Sequence, residues 1–146
     1  MCGILFTNFK NLNQRSFKKS LKLIRHRGPD SSKFIRVNGN YLGFNRLSII
    51  DLTKNADQPK LSSNERYIII YNGEIYNFYE LKNKYNINTK KNSDTEVLLE
   101  LFSKYKTNIL NELNGMFSFL FYDRETKIFF AARARIESCT RRKMLF

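Results

Sequence analysis

Residues 33–50 read "KFIRVNGNYLGFNRLSII", and the Asn38-Gly39 step near their centre decides how the chain folds around it. Asn-Gly supplies the positive φ angles of a two-residue turn, so the flanking runs are expected to pair as an antiparallel hairpin. The signal repeats further along. "RYIIIYNGEIYN" (66–77) is a β-branched run broken by Asn72-Gly73, a pair that on local grounds also reads as a hairpin turn. Residues 115–122 and 127–132 predict a last hairpin, closed through Asp123–Thr126, and "GILFTN" (3–8) a short buried strand. Two helices are expected between them. Phe17, Leu21 and Ile24 fall at spacings of four and three in a lysine-rich stretch stopped by Gly28-Pro29. "SDTEVLLELFSKY" (93–105) opens on a capping box, Ser93 with Glu96, and carries Val97, Leu98, Leu101, Phe102 and Tyr105 as its apolar stripe. A short helix is expected near 107–113. Strands joined by hairpins, with helices set between, predict mainly antiparallel α+β layers rather than a doubly wound parallel sheet.

Composition narrows the function classes. The chain has 146 residues, 42% hydrophobic and 27% charged, which suits one globular domain with a real core. No apolar run approaches the roughly 20 residues of a membrane span, and no leader pattern is seen. Two cysteines, Cys2 and Cys139, do not make a disulfide framework, so a reducing cytoplasm is the expected setting. The net charge of +13 raises nucleic acid as a partner. The lysines are nevertheless scattered, as at Lys18, Lys22, Lys82 and Lys90, and no zinc spacing or aromatic-basic motif accompanies them. A lysine-rich solvent face is the expected reading, with no nucleic-acid and no membrane partner.

The opening "MCGILF" places a cysteine directly after Met1. Cys is a small hydrophobe and could simply begin a core strand. With Met1 removed, the same residue would carry a thiol and a free α-amine, a nucleophile with its own base. The amine's ordinary pKa, about 7.7–8.0, suits proton exchange near neutral pH. The chain's single histidine, His26, offers a Cys2–His26 dyad as the alternative. Arg46 on its own reads as a solvent-facing strand residue or a rim ion pair, and Asp94 as a charge that complements a helix N-terminus.

In order along the chain stand "MCGI" (1–4), "RGPD" (27–30), "FNRLSIIDL" (44–52), "DQP" (57–59), "YNGEIYN" (71–77), "SDTE" (93–96) and "LNGMFSFLFYD" (113–123). Together they resemble the glutaminase domain of glutamine-hydrolysing asparagine synthetases. That domain is a class II glutamine amidotransferase of the N-terminal-nucleophile hydrolase fold, with two stacked, mainly antiparallel sheets flanked by helices. The resemblance implies Cys2 as nucleophile, and Asn72 and Gly73 as donors to the oxyanion. It implies Arg46 on the α-carboxylate of L-glutamine. Asp94 would take the α-ammonium, with Glu74 and the backbone around Leu47, Ser48, Ile49 and Ile50 assisting. No metal and no cofactor is expected in this chain; ATP and magnesium would belong to a synthetase domain.

The resemblance covers about nine-tenths of the chain and stops abruptly. The expected amidotransferase domain spans residues 1–135; after its last hairpin, Ala134 and Glu137 stand where the family has Asp and Gly. Residues 136–146 are expected to be a divergent, disordered tail, as a frameshift or truncation would leave, and the ATP-dependent domain is expected to be absent. Such a chain could release ammonia but not make asparagine. A separate synthetase chain or a second copy would be its partner, and an inactive, binding-only remnant is the alternative.

Overall fold

A computed structural model describes residues 2–9, 11–48, 57–89 and 93–134. The chain divides into two compact units, Met1–Lys60 and Leu61–Phe146.

The first unit is a three-stranded antiparallel sheet in the order β1-β3-β2, from β1 (Gly3–Thr7), β2 (Ser31–Val37) and β3 (Asn40–Arg46). The Asn38-Gly39 turn is present, with φ of 48° and 82°, and sets Val37 opposite Asn40. Helix α1 (Gln14–Leu23) starts where Asn13 accepts a hydrogen bond from the Ser16 amide. Its buried Phe17 and Leu21 lie with Tyr41 in one core, the rings of Phe17 and Tyr41 stacked at 4.9 Å. Burying each such side chain contributes about 1.5–3 kcal/mol. A 3-10 turn, Arg25–Arg27, ends the helix.

A four-stranded sheet in the order β4-β5-β6-β7 begins at the chain boundary of the units with β4 (Lys60–Leu61) and continues in the second unit with β5 (Tyr67–Ile75), β6 (Gly115–Asp123) and β7 (Phe129–Arg133). Helix α3 (Asp94–Tyr105) begins at Ser93, which accepts from the Glu96 amide as the capping box requires. Phe102 of α3 packs on Phe121 and Phe119, at 4.5 and 5.4 Å between ring centres. A 3-10 helix (Lys106–Glu112) fills the expected place after it. The last hairpin also forms as expected: Lys127 and Asp123 close the turn through their backbones, and Leu120 lies opposite Ala131.

Two features depart from the sequence reading. Asn72 and Gly73 are not a turn. Both lie inside β5, Asn72 opposite Ser118 and Gly73 opposite Phe117, in a ladder unbroken from Tyr67 to Ile75. Helix α2 (Phe78–Lys84) went unread, because Leu81 is its one buried side chain and no side chain caps its start. It is fixed from outside: Asn77 accepts from the Asn114 amide and donates to the Glu112 carbonyl, each at 2.9 Å. Ile49, Ile50 and the tail 136–146 lie outside the described residues.

Candidate active site

In the first unit, three separated motifs meet. Cys2, half-buried, immediately precedes β1, with its Sγ accepting from the Leu47 amide at 3.4 Å and lying 3.8 Å from the Leu47 carbonyl. Arg27 donates to the Cys2 carbonyl at 3.3 Å. Gly28 runs so close to β3 that a Cβ there would sit 2.2 Å from the Asn45 carbonyl oxygen, so only glycine fits. Asp30 then accepts from the Ser48 amide at 2.6 Å, and its own amide donates to the Arg46 carbonyl. "RGPD" thus sets the backbone of residues 45–48 beside the thiol.

Arg46 is buried, at 6% exposure, not solvent-facing. The strand alternation that predicted an exposed arginine is absent from β3, which is buried from Tyr41 through Arg46. Its charge is met by Asp57, whose Oδ1 lies 3.1 Å from Nη1 of Arg46. Ser31 donates to the same oxygen, and Lys33 reaches Oδ2 at 2.6 Å. Burial alone would raise the Asp57 pKa; hydrogen bonds from Lys33, Ser31 and Arg46 outweigh it and hold the carboxyl below its ordinary value. His26 is exposed, and its only hydrogen-bond partner among the described residues is the Leu23 carbonyl, at 3.2 Å from Nδ1. The dyad with Cys2 does not form.

In the second unit, β5 carries Asn72 half-buried and Gly73 and Glu74 exposed. Gly73 adopts φ of +148°, and a Cβ there would fall 2.2 Å from the Met116 carbonyl oxygen. A side chain is therefore refused both by the backbone angle and by the neighbouring strand. Asp94, at the first position of α3, has a different set of partners. Its Oδ2 accepts from the Tyr71 hydroxyl at 2.6 Å and the Ile75 amide at 3.2 Å, and its Oδ1 from the Thr95 amide at 2.7 Å. Burial, and then the Asp94 charge, push the Tyr71 hydroxyl pKa far above its ordinary value, so it stays a donor.

Asp30, Asp57 and Tyr71 were given no role on sequence grounds. All three stood inside quoted motifs, but their partners are distant in sequence and visible only in the fold. Among the described residues, no group of three His, Cys, Asp or Glu side chains could hold a metal ion, and no helix is long and apolar enough to cross a membrane.

The glutamine amidotransferase domain family matches residues 1–138, and the chain belongs to that family. Its α+β fold, with two antiparallel sheets and helices, is accordingly of the N-terminal-nucleophile hydrolase type.

The relatives define the branch. The chain is 42% identical over 80% of its length to glutamine-hydrolyzing asparagine synthetase 1 of Bacillus subtilis. It is 38% identical over 95% to the glutamine-hydrolyzing asparagine synthetase of Zea mays, and 36% identical over 93% to enzyme 1 of Arabidopsis thaliana. It is a glutamine amidotransferase domain of asparagine synthetase type. The matches span 19% of the Bacillus protein and 24% of each plant protein, so the chain corresponds to under a third of their length.

Proposed function

We propose that this domain hydrolyses the side-chain amide of L-glutamine to glutamate and ammonia. The observation that carries the reading is Cys2, whose sulfur rests against the backbone of Leu47, the residue that follows Arg46. After removal of Met1, the thiol adds to the amide carbonyl and its proton passes to the α-amine of the same residue. The tetrahedral oxygen takes hydrogen bonds from the Asn72 side chain and the Gly73 N–H; loss of one such donor typically costs 10²–10³ in rate. Collapse returns the proton to the leaving nitrogen, releasing ammonia and a thioester that water then cleaves to glutamate. Arg46 holds the α-carboxylate and Asp94, aided by Glu74, the α-ammonium. Backbone at Leu47 and Ser48, continuing to Ile49 and Ile50, frames the substrate.

No step of this half-reaction uses a metal or cofactor. ATP and magnesium belong to the synthesis of asparagine, for which the ammonia would pass to a synthetase domain, whether on a separate chain or on further sequence of the same one. A homodimer and a cytoplasmic setting complete the proposal, with neither nucleic acid nor membrane as partner.

The test is ammonia release by protein beginning at Cys2. Cys2→Ala is expected to abolish turnover while retaining glutamine binding, and an uncleavable N-terminal extension to abolish it as well. Full activity in the extended form would remove the α-amine as base. A native chain that binds glutamine without releasing ammonia would instead be a binding-only remnant.

A further inference from the structure

Asp57, Asp123 and Glu112 are each paired with a lysine or arginine. Asp94 differs. Among the described residues no cation pairs with it, and every donor that it meets is neutral: the Tyr71 hydroxyl, the Ile75 and Thr95 amides, and the Thr95 hydroxyl at 3.4 Å. Such donors fix a carboxylate without cancelling its charge, which leaves the charge for a cation from outside. The amides are set by the backbones of β5 and α3. The shortest side-chain contact, at 2.6 Å, comes from Tyr71, itself only 3% exposed and packed in the core beneath α3.

We propose that Tyr71 is a positioning residue, whose hydroxyl holds the Asp94 carboxylate in place for the α-ammonium of glutamine. The inference rests on the glutaminase reading and extends it to a side chain that touches no substrate. Tyr71→Phe deletes one oxygen and keeps the buried ring, so Oδ2 of Asp94 would retain only the Ile75 amide. One hydrogen bond to a charged group, net of solvent, corresponds to roughly a three- to tenfold effect.

The experiment compares full-chain wild type, Tyr71→Phe and Asp94→Asn on glutamine and on glutaramate, which has the same amide and carboxylate but no α-ammonium. Tyr71→Phe is expected to raise KM for glutamine roughly three- to tenfold, with kcat and the glutaramate reaction within about twofold. Asp94→Asn is expected to remove most of the preference for glutamine. An equal loss on both substrates, or a fall in kcat at constant KM, would show that Tyr71 serves the fold or the reacting end, and would overturn the proposal. Should Tyr71→Phe not fold, Asp94→Asn still decides, because undiminished preference for glutamine in that variant overturns it too. A wild type that binds glutamine without hydrolysis refutes the glutaminase reading alone, and the same comparison is then read in Kd.

Discussion

Arg46 and Asp94 are assigned to opposite ends of one amino acid, and the two units anchor them by opposite means. In the first unit the buried guanidinium meets a buried carboxylate, Asp57, which is in turn held by Ser31 and Lys33. In the second unit, among the described residues, the carboxylate of Asp94 meets only hydroxyls and amides. An ion pair taken out of water depends on both partners, because removing one leaves an uncompensated charge in a poor solvent for it. A carboxylate held by neutral dipoles keeps its charge when one donor is lost, and the cost is that of a single hydrogen bond. Breaking the pair is therefore costly, and the pair offers less free charge to a ligand, whereas the dipole cradle loses less when one donor is removed and leaves its charge available.

The sharpest way to break this comparison is Asp57→Asn, which is nearly the same size but cannot compensate Arg46. We expect a loss of about 3 kcal/mol in urea unfolding, against about 1 kcal/mol for Tyr71→Phe. Equal losses would mean that the charge of Arg46 is met by other groups and that the contrast fails.

A second ion pair extends the comparison to pH. Asp123 is held by Arg66 at 2.7 Å and accepts from the Glu125 and Thr126 amides. The Arg66 hydrogen bond, with the two turn amides, lowers its pKa to about 2, from 3.8, against the opposing effect of burial. The folded-state value lies below the unfolded one, so the stabilisation is complete above pH 3.8 and is lost as pH falls toward about 2. With Arg66 partly exposed, and so partly screened, we expect about 1–2 kcal/mol to disappear across that window. Asp123→Asn should flatten acid unfolding there; an unchanged acid limb would place the loss on Asp57 or other carboxylates.

The smallest effect compares the units through their helix caps. Asn13 accepts from Ser16 at 2.9 Å at the start of α1, and Ser93 from Glu96 at 3.3 Å at the start of α3. Asn13→Ala and Ser93→Ala should each cost about 1 kcal/mol. Differential scanning would resolve both, and a silent Ser93→Ala would show that the first-turn carboxylates, Asp94 and Glu96, suffice for the N-terminus of α3.

These contrasts also mark what was legible in the sequence. Local chemistry was readable: the Asn38-Gly39 turn, the Ser93 capping box, the Phe17–Leu21 stripe and the last hairpin all rest on contacts within a few residues. Asn72-Gly73 carries the same local signal as Asn38-Gly39 and was misread for that reason. Its backbone is decided by β6, whose Met116 and Phe117 lie far away in sequence, and the tertiary ladder overrides the turn preference. Of the two local readings of Arg46, the ion pair is present but buried, and the solvent-facing one fails because alternation assumes one wet face, and β3 has none. Cys2 could be singled out by its position beside Met1. The groups that hold the charged residues, Asp57 and Tyr71, could not, since an aspartate in a loop and a tyrosine in a strand are ordinary until their partners are seen.

The ladder between β5 and β6 has a consequence for synthesis on the ribosome. The β2–β3 hairpin joins neighbours and can close as soon as both strands emerge. β5 must instead wait until Tyr76–Asn114 and then β6 have been made, because its partner residues run from Gly115 to Asp123. Meanwhile "YIIIY" (67–71), uncharged and rich in β-branched side chains, is an open strand edge of the kind that pairs with other chains. Arg66 at one end and Glu74 near the other are the charges closest to it, and they act as its gatekeepers until β6 arrives.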